Sequence, residues 1–188
     1  MERTKRQDEI LDTALQLLAE GGVKNLTMKR IADSIGISEP AVYRHFQNKN
    51  ALIPGIIEKF DEDILLQYEG IGFVWNFVEQ RIAQVASNPL LAKVIFSEEL
   101  FAGEPAVEEM LLSMMHKHRN LLFEHLAMAQ NKGDLCQNIP LDALFRIIIG
   151  PVRLLVKQWG MSNFAFDIQV KGRELMDSLQ TILGSERR

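Results

Sequence analysis

The chain has 188 residues, 47% apolar and 24% charged, with a formal net charge of −4. That suffices for one sizeable core, or for a small domain joined to a larger one. The lone Cys136 excludes an internal disulfide and a cysteine-rich zinc site, and the chain's longest apolar stretch, 144–156, is too short for a membrane helix and holds two arginines. Residues 1–9 are charged and no apolar run follows, which predicts no secretory leader and a cytoplasmic protein. Charge is uneven: residues 1–50 carry +1 and the remainder −5, a weak pointer toward nucleic acid in the first part.

In chain order every segment reads as helix, so the expected class is all-α. Ile10, Leu11, Ala14, Leu17 and Leu18 recur at helical spacing, and Gly21-Gly22 ends that helix. A second short helix starts at Thr27 and a third at Ser38. A fourth begins near Asn48 and runs through Ala51, Leu52, Ile56, Ile57 and Phe60 to about Tyr68. The glycines of 69–73 mark a junction. Helices are predicted beyond it at 74–87, 89–101, 105–131, 141–159 and 166–184, punctuated by Pro89, Gly103, Pro105, Gly133, Pro140 and Gly160. The expected domains are 1–50, a connecting helix at 51–70, and 71–188.

Residues 26–46 form a unit of their own. Thr27 is placed to cap the second helix, with Leu26 and Ile31 spaced as a hydrophobic staple. Ser38, Ile37 and Val42 repeat the arrangement, and Pro40 falls in the first turn, where a missing N–H costs nothing. Gly36 can take the left-handed conformation a sharp turn needs. Ile31, Ile35, Ile37, Val42 and Phe46 are then expected as a shared small core. Two short helices joined by a tight glycine turn are the helix-turn-helix pattern. With Val42 and Phe46 inward, the outer face holds Glu39, Pro40, Ala41, Tyr43 and Arg44, with His45 at its edge. In such a motif this face meets double-stranded DNA. Arg44 can donate to guanine or to phosphate, and Pro40 and Ala41 can touch a thymine methyl. Tyr43 and Lys49 can reach phosphates, as can Thr27 and Lys29 at the preceding helix start. A catalytic reading of Tyr43, Arg44 and His45 lacks a positioned nucleophile or carboxylate partner.

The stretch LTMKRIADSIGISEPAVYRHFQNKNAL resembles the DNA-binding region of the TetR (tetracycline repressor) family of bacterial transcriptional regulators. Thr27, the Ile-Ala pair, Gly36, Ser38, Tyr43, His45-Phe46, Lys49 and Leu52 match in register, and the likeness covers roughly residues 8–60. At or near Pro40 the family usually has a small residue. The resemblance implies a DNA-binding repressor, homodimeric on a palindromic operator and released by a small, largely apolar effector. An alternative is an apolar-ligand carrier or interaction protein whose first domain does not bind DNA. No enzyme constellation and no cofactor are expected.

The helix at 141–159 is apolar nearly all round, so two of its sides should be covered. In the resembled family the last two long helices pair with their symmetry mates. That places Leu144, Ile148, Val152, Leu155, Leu175, Leu179 and Ile182 at a dimer interface, with Gly150 allowing close approach and Pro151 expected to kink the helix. The family's effector pocket among the middle helices would use Phe77, Phe101, Met110, Met114, His118, Phe123, Arg153 and Trp159. Its polar handle would come from His118, Arg119, Gln80 or Arg153. His116, His118 and His125 lack the i, i+4 spacing of a chelating pair, so no metal is expected.

Overall fold

The computed structural model describes residues 3–61, 68–96 and 105–184. Among these the regular structure is helical, as the apolar periodicity predicts, with one isolated β-bridge between Leu135 and Gly184. The helices are α1 (Lys5–Gly21), α2 (Met28–Ile35), α3 (Glu39–Tyr43), α4 (Leu52–Asp61), α5 (Gly70–Ser87), α6 (Leu90–Val94), α7 (Pro105–Lys132), α8 (Leu141–Met161) and α9 (Ile168–Leu183). The chain divides into two compact units. The first takes Met1–Asp63 with Lys93–Leu112, the second Ile64–Ala92 with Ser113–Arg188. The described residues 93–96 and 105–112 therefore belong with the N-terminal helices, although they lie beyond the glycine-marked junction at 69–73.

In the first unit α1 packs on α2 and α4, and α2 packs on α3. Ile10, Leu11, Ala14 and Leu18 of α1 are buried with Leu26, Ile31, Val42, Leu52 and Ile56. A capping box that the sequence pattern had not singled out starts α1. Thr4 accepts from the Gln7 backbone N–H and its own N–H donates to Gln7 Oε1. Lys59 ties α4 back to α1 through Asp12 at 2.7 Å. Phe60 meets Phe96 edge-on with centroids 6.0 Å apart. The fourth helix starts later than expected. Asn48 caps a 3₁₀ turn over Lys49–Ala51, and α4 follows from Leu52. Tyr68 lies outside any helix, and residues 62–67 of that predicted helix lie outside the described residues.

In the second unit α5 packs on α8 and α9, and α8 on α9. Gly172 makes the α5–α9 approach possible: a Cβ there would lie 2.6 Å from Ile82 Cδ1. Gln130 holds the 133–140 loop by donating to the Cys136 and Ile139 carbonyls at 2.7 and 2.8 Å. The Cys136 N–H donates to the Leu183 carbonyl, tying that loop to the end of α9. Pro151 sits inside α8, which continues through it to Met161. The helix predicted over 89–101 ends at Val94 among the described residues, with 95–96 in a turn.

The turn between α2 and α3 generates a graded prediction. Gly36 has φ +67 and ψ 34, and its N–H donates to the Ala32 carbonyl. Gly36→Ala should lower stability by about 1–2 kcal/mol, the cost of a left-handed L-residue. Thr27→Ala should cost about 1 kcal/mol, because the Thr27 hydroxyl accepts from the Arg30 N–H at 3.2 Å. Ser38→Ala should cost less than either, since the Ser38 side chain makes no capping bond. Urea unfolding of the full chain checks the order.

Candidate functional site

Ser38 stands at the N-cap position of α3 as its spacing suggests, but its carbonyl, not its hydroxyl, starts the helix. The Ala41 N–H donates to it at 2.8 Å. Helix α3 is only five residues long, Glu39–Tyr43, with Pro40 in its first turn. Its one fully buried side chain is Val42; Ile35, Ile37 and Phe46, expected in the same core, are half-buried. Pinning Val42 leaves Tyr43 46% exposed with Arg44 exposed beside it. Pro40 and Ser38 are exposed too. Glu39, Ala41 and His45 are half-buried at the flanks.

Three other predicted residues share this exposed side of the sequence. Thr27 and Lys29 are exposed at the start of α2, whose first free N–H groups Thr27 partly satisfies. Lys49 is exposed on the 3₁₀ turn, where the Asn48 side chain accepts from the Ala51 N–H at 3.1 Å. So a glycine turn, one buried valine and two caps present tyrosine, arginine and lysine to solvent without an ion pair to Tyr43, Arg44 or Lys49 among the described residues.

Two family models match this chain. "Bacterial regulatory proteins, tetR family" covers residues 10–56. "MAATS-type transcriptional repressor, C-terminal region" covers residues 75–184, more than half of the chain. The chain belongs to the TetR family. Among its relatives is the probable acrEF/envCD operon repressor of Escherichia coli (strain K12), 26% identical over 95% of this chain and 86% of the relative. Two solved TetR-like folds superpose along nearly the whole length. The SmeT–triclosan complex does so with a TM-score of 0.81 at 18% identity, over 98% of this chain and 94% of that one. FadR from Bacillus subtilis in complex with stearoyl-CoA gives 0.76 at 19% identity, over 93% and 97%. The chain is thus a DNA-binding transcriptional repressor of the TetR family.

The second unit of this TetR-family chain holds a row of aromatic and basic side chains between α5 and α7. Phe73 stacks on His125 at 3.8 Å, and the His125 Nδ1 accepts from the Gly70 N–H. One turn along α5, Phe77 meets His118 at 5.3 Å. One further turn on, buried Arg81 lies 3.2 Å from His118 Nε2, donates to Gln84 Oε1 at 2.8 Å, and covers the Phe77 ring. Sequence reasoning named Gln80 and missed Arg81. The signal was available: 73, 77 and 81 are spaced i, i+4, i+8 on one helix face.

The remaining effector-pocket expectations divide. Phe77 and His118 meet. Phe123 contacts Phe145 and lies under Arg119 instead. Met114 and Arg153 are half-buried. Met110 belongs to the first unit. Trp159 is buried, and its Nε1–H donates to the Phe166 carbonyl at 2.7 Å while its ring packs on Phe164. That fixes the α8–α9 turn, where Asn163 and Phe164 have positive φ, so Trp159 is a structural residue of this chain. Phe101 lies outside the described residues.

The residues expected at a dimer interface differ in their burial. Leu144, Ile148, Val152 and Leu179 are buried in the chain's own core. Leu155 and Leu175 are half-buried, and Ile182 is 69% exposed. The outward apolar positions include Ile147 and Leu154, 38% and 57% exposed, seven residues apart on α8. A helix apolar all round does not disclose in its sequence which side its own domain takes.

The turn that carries Lys49 gives a local prediction. Asn48→Ala should remove the cap on the Ala51 N–H at a cost of about 1 kcal/mol. Amide exchange at Ala51 should then accelerate several-fold, while exchange in α1 is unchanged.

Proposed function

We propose that this TetR-family repressor is a homodimer that binds a palindromic operator and leaves it when a small, largely apolar effector occupies the second unit. The observation that carries the DNA half is the exposed Tyr43–Arg44 row on a helix pinned by buried Val42. In this reading Arg44 reads a base edge, Tyr43 and Lys49 grip phosphates, and Thr27 and Lys29 do so at the start of α2. Pro40 and Ala41 meet the groove wall, with Ser38, Glu39 and His45 at its margins. Residues 1–50 serve DNA, 51–70 connect, and 71–188 bind the effector and dimerise.

The effector is assigned to the row between α5 and α7. Phe73 and Phe77 offer apolar surface, and Arg81 with His118 offers a polar handle. The TetR-like folds solved with triclosan and with stearoyl-CoA hold small molecules with large apolar bodies, which supports that chemistry. Binding shifts the population between DNA-competent and incompetent states to the extent that the two states hold the effector unequally. The work of the chain is binding rather than catalysis, in the cytoplasm; among the described residues no helix is long and apolar enough to cross a membrane.

The dimer surface is assigned to the outward stripe of Ile147, Gly150 and Leu154 on α8 with Leu175 and Ile182 on α9. A Cβ on Gly150 would meet nothing within 4 Å in its own chain, so that site is open to a partner helix.

Mobility shift against DNA from upstream of the protein's own coding region tests the reading. A purified dimer with no preference over competitor DNA at physiological salt would sink it. Arg44→Ala should relax base preference at one operator position by about 1–3 kcal/mol; uniform weakening would reassign Arg44 to phosphate. Lys49→Ala should weaken all sequences and flatten the salt slope by about one unit per reading head. Leu154→Arg should leave helicity intact and give a monomer in sedimentation velocity.

A further inference from the structure

The first unit contains a cleft separate from the effector row, and it shares one residue, Lys49, with the proposed DNA contacts. It lies between the reading head and the start of α7. Leu26, Ile53 and Pro54 form one wall, Val107 and Met110 the other, and Lys49 stands at the edge. Leu26, Ile53 and Val107 are buried, Val23, Pro54 and Met110 half-buried, and Ala106 and Lys49 exposed. The space holds about 210 Å³. An apolar cavity of about 150 Å³ takes a benzene ring, whereas pockets for drug-sized ligands start near 300 Å³. The volume therefore fits one ring-sized apolar body with a small substituent.

The lining decides what the substituent is. The cation it offers is the Lys49 ammonium, and Lys49 has no ion pair among the described residues. A carboxylate on the ring would find there a partner on the rim while the ring displaces water from Val23, Pro54, Ala106 and Met110. Burying the ring contributes the apolar term, at roughly 25 cal/mol per Å². The exposed ammonium contributes orientation and selectivity for an anion more than affinity.

We infer that this cleft is a second ligand site, for a small aromatic monocarboxylic acid, and that its occupant takes Lys49 away from DNA. Leu26, part of the lining, immediately precedes Thr27 and the start of α2, so the cleft borders the segment that carries a second proposed phosphate contact. The ammonium of Lys49 cannot neutralise a ligand carboxylate and a DNA phosphate at once. Occupation therefore competes with operator binding directly, with no change of the second unit required. The competition rests on the assignment of Lys49 to phosphate above; the occupancy does not.

Benzoate is the probe, with benzyl alcohol as its neutral counterpart, on the full chain. With methionine methyl groups labelled with ¹³C, the Met110 resonance, assigned through Met110→Leu, should move on adding millimolar benzoate. The movement should be several-fold weaker with benzyl alcohol or in Lys49→Met, and absent in Ala106→Phe, which fills the cleft from an exposed position. Benzoate should also flatten the salt slope of operator binding by about one unit per head, and do nothing further to Lys49→Met. Ala106→Phe should bind operator normally and ignore benzoate. An unmoved Met110 resonance, or equal response to benzoate and benzyl alcohol, overturns the site. A moved resonance with unchanged operator affinity overturns the competition. Failure of the protein to bind operator without any benzoate speaks against the DNA reading alone and leaves the resonance test standing.

Discussion

The exposed face of α3 exists because Val42 is buried. Helix α3 has five residues, far below the length at which a helix holds itself together in water. Its direction is therefore borrowed from tertiary contacts: Val42 in the core over Ile31, the left-handed Gly36 behind it, and the Ser38 carbonyl that closes the first turn. Once those are set, Tyr43 and Arg44 have no inward option. Any change that lets Val42 leave the core also reorients every proposed DNA contact on α3. Stability of the head and competence to read are one quantity here.

The same dependence extends along the chain. Asn48 fixes the turn that carries Lys49, α4 follows directly, and Lys59 on α4 is held to Asp12 of α1. That exposed pair contributes at most about 1 kcal/mol, so α4 is held chiefly by Leu52, Ile53, Ile56, Ile57 and Phe60, all buried. Helix α7 is shared between the units: it supplies residues up to Leu112 to the first and from Ser113 onward to the second. Its first turns line the cleft at Lys49, and its later turns carry His118 and His125.

What the sequence disclosed follows from the range of each signal. Thr27, Gly36, Pro40 and the Val42 register are local, and they could be read from a few neighbours. Ser38 shows the limit of that reading: its position at the cap was legible, its side-chain rotamer was not. Arg81 was passed over because charged residues are usually exposed, although Phe73 and Phe77 already marked its face. Leu144, Ile148 and Val152 were placed at a partner chiefly by the family resemblance, and because α8 is apolar on all sides its sequence does not say which side packs against α5 and α9. Met110 looked like its neighbour Met114, yet the two fall in different compact units, a division that no periodicity within a continuous helix records.

Charge explains why one lysine per head matters. The chain carries −4 overall, and residues 1–50 only +1. Non-specific binding to DNA comes almost wholly from phosphate neutralisation, so this protein has little of it to draw on. Glu39, half-buried in the first turn of α3, lowers it further near the reading face while remaining compatible with the helix N-terminus. A head built this way depends on a few well-placed cations together with direct readout, and gains a higher ratio of specific to non-specific affinity. The corollary is fragility. In a strongly basic head, neutralising one lysine would be absorbed by its neighbours. In the proposed reading Lys49 is one of three cations assigned to DNA, with Lys29 and Arg44, so a small acid that engages it would act on a sizeable part of that charge.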